Sequence, residues 1–239
     1  MNGLIALVGS GEYLPVMDET DRHLLAKTVP DGRVARVVCL PTAAGMEGEA
    51  TISKWMRMGQ EHFKRLGAQV DSLHLTNRSE ADDPAYAALI EQADMIYFSG
   101  GNPVYLYDTL QESKAWQAVL SATGRGAAFA GCSAGAMFIG EYLPDMRAFT
   151  LRNTRAFALL PNSHIFPHFD RMAGWAGISL PLIQRLIHDG EYALGVDEDT
   201  ALVGRLGEPW QVMGRQSVRL ITKTQIDTFT AGDELTLPA

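Results

Sequence analysis

Short apolar runs alternate with amphipathic stretches through the first half of this chain, and that alternation restricts the fold more than any single residue does. Strands are expected at residues 4–8, 36–40, 69–75, 95–98 and 127–130, with helices between them at 16–27, 49–66, 84–92, 103–110 and 114–122. Strand and helix in strict succession read as βαβ units, which require a parallel sheet with helices packed on both faces. In the stretch 49–66, Ile52, Trp55, Met56, Gly59, Phe63 and Leu66 recur at spacings of three and four, so one stripe of that helix turns to the core. The expected class is therefore α/β, doubly wound, with a mostly parallel sheet. Beyond Ser133 the pattern changes. Residues 149–160 carry few helix signals, and Pro181 opens a helix at 182–188 that Gly190 ends. Short strands, some antiparallel, are expected at 192–196, 200–203, 211–213 and 218–221, and residues 231–239 read as a poorly fixed end. No repeat, low-complexity tract or charge run marks a boundary, so residues 1–239 are read as one domain.

Chemistry concentrates where the pattern changes. Gly131-Cys132-Ser133-Ala134-Gly135 follows the fifth apolar run and precedes good helix formers, so it reads as a serine on a sharp strand-to-helix turn. The pentad alone is weak and needs partners: a base for the serine proton, an acid to orient that base, and donors for an oxyanion. Of six histidines, His23 and His62 fall in helices, His74 in a strand, and His188 near a helix end. His164 and His168 are left as candidate bases. His168 comes first, because Pro167 ends strand pairing and presents the next side chain at a sheet end, where α/β sites form.

Asp170 lies two residues beyond His168, and in an extended segment such residues project to one side, so it is the first candidate for the orienting acid. Glu141, Asp145, Asp197 and Glu198 are rivals. Ser99-Gly100-Gly101-Asn102-Pro103 follows the fourth strand directly. Its freed amides, at Gly100 and Gly101, join the Ala134 amide as oxyanion candidates. Asn102 and Arg171 are candidate substrate contacts, Arg171 as a bidentate donor to a carboxylate, with a surface salt bridge as its plain structural alternative. Cys132 is set aside as a nucleophile because the centre of the turn between Gly131 and Gly135 is Ser133.

Exclusions narrow the function. A formal net charge of -8 without clustered Lys and Arg argues against nucleic acid. No apolar run approaches the ~18 residues that span a bilayer. Gly9-Ser10-Gly11-Glu12 lacks the full dinucleotide pattern, since Leu14 and Pro15 follow, and Walker loops and zinc-ligand spacings are absent, so no cofactor or metal is expected. Cys39 and Cys132 end apolar strands and read as buried thiols, and no basic leader precedes the first strand. A cytoplasmic setting is expected.

Taken in order, Phe98-Ser99-Gly100-Gly101-Asn102-Pro103, Gly131-Cys132-Ser133-Ala134-Gly135-Ala136, Pro167-His168-Phe169 and Gly195-Val196-Asp197-Glu198-Asp199-Thr200-Ala201-Leu202 resemble the serine peptidases of family S51, the dipeptidase E and cyanophycinase group. The resemblance spans roughly residues 4–203 and implies a class I glutamine amidotransferase-like fold. It also implies a nucleophile at Ser133, a base at His168, oxyanion donors among Gly100, Gly101 and Ala134, and hydrolysis of a short peptide or isopeptide amide through an acyl-enzyme. In the dipeptidase E branch the acid comes from between serine and histidine, whereas Asp170 follows the His-x-acid spacing of the amidotransferases. The segment after His168, Asp170 to Trp175, lacks the stretches associated with aspartyl dipeptides and with cyanophycin. A catalytically silent amidotransferase-like domain that binds a small ligand or a protein is the alternative. A homodimer is left open.

Overall fold

The computed structural model describes residues 1–29, 31–145, 148, 150–176 and 179–238, so Phe149 in the expected 149–160 stretch lies outside the described residues. Its strands are β1 (Ile5–Val8), β2 (Arg36–Leu40), β3 (Gln69–Ser72), β4 (Met95–Phe98), β5 (Ala128–Cys132), β6 (Tyr142–Asp145) and β7 (Thr150–Arg155). The remainder are β8 (Ser163–Phe166), β9 (Tyr192–Val196), β10 (Thr200–Gly204), β11 (Trp210–Gly214), β12 (Ser217–Thr222), β13 (Ile226–Thr230) and β14 (Glu234–Leu235). They form two sheets, one in the order β14-β11-β10-β1-β5-β4-β2-β3 and one in the order β13-β12-β9-β8-β6-β7.

In the first sheet β1, β5, β4, β2 and β3 run parallel, as the alternating pattern requires. Helices Asp18–Thr28, Glu49–Arg65, Pro84–Glu91, Pro103–Leu110 and Lys114–Gly124 make the crossovers. Successive residues of one strand enter opposite cores. Ile5, Leu7, Ile96, Phe98 and Phe129 pack with Ile90, Leu106 and Trp116 on one face. Ala6, Val8, Met95, Tyr97, Ala130 and Cys132 pack with Leu24 and Phe63 on the other. This is the period-two alternation of a strand buried on both sides, and it explains why these runs are uniformly apolar.

The C-terminal strands divide between the sheets. Strand β10 pairs antiparallel with β1 and carries β11 beside it, whereas β9 and β12 belong to the second sheet. The expected loose tail is corrected: Leu235 is buried and pairs with Trp210, and Glu234 pairs with Gln211. Leu235 joins the main apolar core, which supplies the anchor that a polar-looking tail did not advertise. Strand β6 also went unread, because it is only four residues long and holds Pro144, which a strand pattern disfavours.

Two geometrical consequences position the site. In the first sheet Val8 pairs with Cys132 and Phe98 with Gly131, so the loops after β1, β5 and β4 leave side by side at the carboxyl edge. In the second sheet β8 and β9 are parallel neighbours, with Phe166 opposite Gly195. Their exits, carrying His168 and Glu198, are therefore adjacent. Since β9 leads straight into β10, the turn at residues 197–199 brings the two sheet edges together.

Candidate active site

Ser133 sits between β5 and the helix Ala134–Met137 with φ 52 and ψ -113, a left-handed conformation that a non-glycine residue holds only when its surroundings impose it. The surroundings do. Its N–H donates to the Val8 carbonyl at 3.0 Å, and its own carbonyl accepts from Ala136 and Met137 at 2.9 and 3.0 Å. A Cβ at Gly131 would overlap the Gly135 carbonyl, and a Cβ at Gly135 would overlap the Phe98 carbonyl. The two glycines are thus demanded by backbone packing around the turn.

His168 also has positive φ, 52, and follows Pro167 at the exit of β8. Its Nε2 lies 3.0 Å from Ser133 Oγ, and its Nδ1 lies 3.2 Å from Glu198 Oε1. The side chains of His168 and Glu198 are about a quarter exposed, at 24% and 28%. The site is thus open enough to receive a ligand and shielded enough to strengthen its hydrogen bonds.

The carboxylate beside Nδ1 is Glu198, and the first choice from sequence, Asp170, takes another place. Its Oδ1 accepts the Glu198 backbone N–H at 2.9 Å. The i+2 argument assumed an extended chain, but the left-handed turn at His168 leads into the helix Phe169–Ala176, so Asp170 sits in a first helical turn. Arg171 Nε donates to Glu198 Oε2 at 3.1 Å and lies 3.5 Å from Asp170. Its place is that of the surface ion pair, since its side chain is 62% exposed.

The other acidic candidates have different duties. Glu141 accepts the Asn162 N–H at 2.7 Å, and Asp145 accepts the Ala148 N–H at 3.2 Å. Asp197 is buried and accepts from Arg219 at 2.6 Å. Burial raises its carboxyl pKa, with Asp170 adding to the rise and Arg219 opposing it. His164 is buried in the second sheet, where its Nε2 faces Glu191 at 3.2 Å, and burial lowers its imidazole pKa.

The glycine turn divides its amides. Gly100 N–H donates to Glu12 Oε1 at 3.0 Å, so it is occupied, against the expectation that it serves as an oxyanion donor. Among the described residues no hydrogen bond takes the Gly101 N–H, nor the Ala134 N–H at the start of its helix. Asn102 Oδ1 caps the next helix, accepting from Val104 and Tyr105 at 3.0 Å each, so its carbonyl is used in structure. Sequence reasoning missed Glu12 altogether. Its signal was a carboxylate directly after the strand-end glycines, in a stretch read only as an incomplete dinucleotide pattern.

The sequence pattern of peptidase family S51 matches residues 5–205. A crystal structure of a peptidase from an acI-B1 Actinobacterium superposes with a TM-score of 0.90 at 35% identity, covering 99% of this chain and 98% of that one. A crystal structure provisionally named peptidase E from Listeria monocytogenes EGD-e gives 0.61 at 18% identity over 96% and 99%, a likeness of fold. An uncharacterized peptidase of the same Listeria strain is 25% identical over 177 residues, 71% of this chain and 79% of that protein. The class I glutamine amidotransferase-like architecture expected from the sequence agrees with these neighbours. No helix among the described residues is long and apolar enough to cross a membrane.

Proposed function

The chain belongs to peptidase family S51, and from that premise we propose that it is a serine-type peptidase acting on a short peptide or isopeptide through a Ser133-His168-Glu198 triad. One observation carries the reading: a single imidazole sits 3.0 Å from a strained, half-buried serine hydroxyl on one side and 3.2 Å from a carboxylate on the other. In this mechanism Glu198, ionised, accepts a hydrogen bond from the His168 Nδ1–H and so holds the tautomer whose unprotonated Nε2 faces the Ser133 hydroxyl. His168 Nε2 takes the Ser133 proton as Oγ attacks the carbonyl carbon. The oxyanion is received by the N–H groups of Gly101 and Ala134. His168 then returns its proton to the leaving amine, and the bond from carbonyl carbon to nitrogen breaks. Water, deprotonated by the same imidazole, attacks the ester and releases the acid and Ser133.

Support for a serine nucleophile also comes from the thiol beside it. Cys132 is fully buried, and burial together with Glu12 raises its pKa well above the ordinary thiol value, so a thiolate is not offered at the turn. The test is covalent labelling with a fluorophosphonate, followed by turnover on a panel of dipeptides and isoaspartyl peptides. Wild type is expected to label at residue 133 and to hydrolyse a member of the panel, and Ser133→Ala is expected to do neither, with kcat/KM down by about 10³-fold or more. Equal labelling of both proteins overturns the nucleophile assignment. Failure of every peptide in the panel, with labelling intact, overturns the substrate class.

A further inference from the structure

Glu12 is a carboxylate at only 8% exposure, on the loop leaving β1, and the mechanism above gives it no task. Its Oε1 accepts the Gly100 N–H at 3.0 Å and its Oε2 accepts from Cys132 Sγ at 2.9 Å. Gly100 belongs to the turn after β4, and Cys132 directly precedes Ser133 at the end of β5. One side chain from the loop after β1 therefore bridges the Gly100 amide and the Cys132 thiol, on the two segments that flank the candidate oxyanion position. The approach is close: a Cβ placed on Gly100 would lie 3.3 Å from Ser133 Cβ and 3.1 Å from Glu12 Oε1.

The outer side of the same turn is fixed independently. Asn102 N–H donates to the Ala43 carbonyl at 2.8 Å, and Gly101, with φ 143, presses so near Ala43 that a side chain there would overlap its carbonyl. The turn is thus held by Ala43 outside and Glu12 inside. The Gly100 amide points back to the carboxylate, and the next amide along, Gly101, is the one without a partner among the described residues. Hydrogen bonds to carboxylates are shorter and stronger than neutral ones, and a donor's value to an oxyanion depends on its being fixed before charge develops.

We propose that Glu12 is a positioning residue for the oxyanion site, locking the Gly100-Gly101 turn so that the Gly101 N–H, with the Ala134 N–H, faces the carbonyl attacked by Ser133. This rests on the serine-peptidase reading of the site. It predicts a specific division of effects. Loss of Glu12 leaves the Ser133-His168-Glu198 contacts in place, so ligand capture persists while the step that develops negative charge slows.

The experiment uses the full-length protein and a fluorophosphonate, whose phosphoryl oxygen occupies the oxyanion position as the serine attacks. Inactivation is resolved into KI and kinact for wild type, Glu12→Ala, Glu12→Gln and Ser133→Ala, with circular dichroism confirming folding. Glu12→Ala is expected to lower kinact by about tenfold or more with KI within about threefold. Glu12→Gln keeps an acceptor for the Gly100 N–H and an amide facing Cys132 Sγ, so it is expected to restore kinact to within about threefold of wild type. A folded Glu12→Ala with unaltered kinact overturns the proposal, as does a Glu12→Gln as slow as Glu12→Ala, or a change confined to KI. If Glu12→Ala fails to fold, Glu12→Gln alone decides: kinact within threefold supports the bridge, and a larger loss overturns it. Ser133→Ala separates the two readings, because continued inactivation of that variant removes the nucleophile assignment itself, whatever Glu12 does.

Discussion

Cys132 and Ser133 are consecutive residues at the end of β5, yet the fold gives them opposite chemistry. The cysteine is the last residue to obey strand alternation, so its side chain enters the core that holds Ala130, Tyr97 and Phe63. There its thiol donates to Glu12 and is held protonated by burial. The serine is itself the left-handed break, so it leaves the alternation and meets His168 at the open edge of the sheet. Thiols are intrinsically the more acidic nucleophiles, but on the proposed reading the turn selects the residue by position. The region in front of the turn is built from groups about a quarter exposed, to which the proposed mechanism assigns the proton transfers. The region behind it is built from buried groups that fix geometry.

The largest effects should fall on the front. His168→Ala is expected to lower kcat/KM by about 10³-fold or more, and Glu198→Ala by about 10²-fold or more. Asp170→Ala is expected to cost less than about tenfold, because Asp170 accepts the Glu198 backbone N–H, whereas the carboxylate beside the imidazole is that of Glu198. Steady-state kinetics on the best peptide measures the ranking. An Asp170→Ala as damaging as Glu198→Ala would return the triad to the His-x-acid pattern.

That ranking also marks where sequence legibility ends. The strands 36–40, 95–98 and 192–196 are found where the apolar runs place them, since a strand buried on both faces writes its composition without ambiguity. The turn around Ser133 was legible for a similar reason, because each of its glycines answers a backbone contact. Glu198 was only one acid among several, because no local rule says that a left-handed His168 diverts the chain into a helix. Nor does one say that β8 and β9 pair in parallel and bring residues 168 and 198 together. Glu12 was harder still. Its partners are 88 and 120 residues away, and its role depends on three strand ends meeting at one edge.

A smaller effect tests how the front is tuned from solvent. Arg171 pairs with the Glu198 oxygen that does not face His168, and its own side chain is largely exposed. An exposed ion pair contributes about 1 kcal/mol or less and is screened by salt. Arg171→Ala is therefore expected to lower kcat by about two- to fivefold in dilute buffer, with the difference from wild type shrinking in molar salt. A loss that persists undiminished at high salt would place Arg171 against the substrate instead.

The smallest effect on catalysis is expected from the Cys132 thiol, behind the turn. Cys132→Ala removes one of the two anchors of Glu12 and leaves the bond to Gly100, so kcat/KM is expected to stay within about threefold of wild type. In the native protein both thiols should resist iodoacetamide at pH 8 and both should react in denaturant, as read by mass spectrometry, since each is buried and reduced. Alkaline pH supplies the thermodynamic version of that test. Burial pushes the Cys39 thiol up to about 12 from 9.0. Its contribution to stability is therefore complete below pH 9, where folded and unfolded states are both protonated. It declines as pH rises from 9 towards 12, because the unfolded chain ionises first. Thermal melting should fall across that interval, and less steeply in Cys39→Ala than in wild type. Equal slopes would mean that the thiol is not held in the apolar setting that separates the back of the turn from its front.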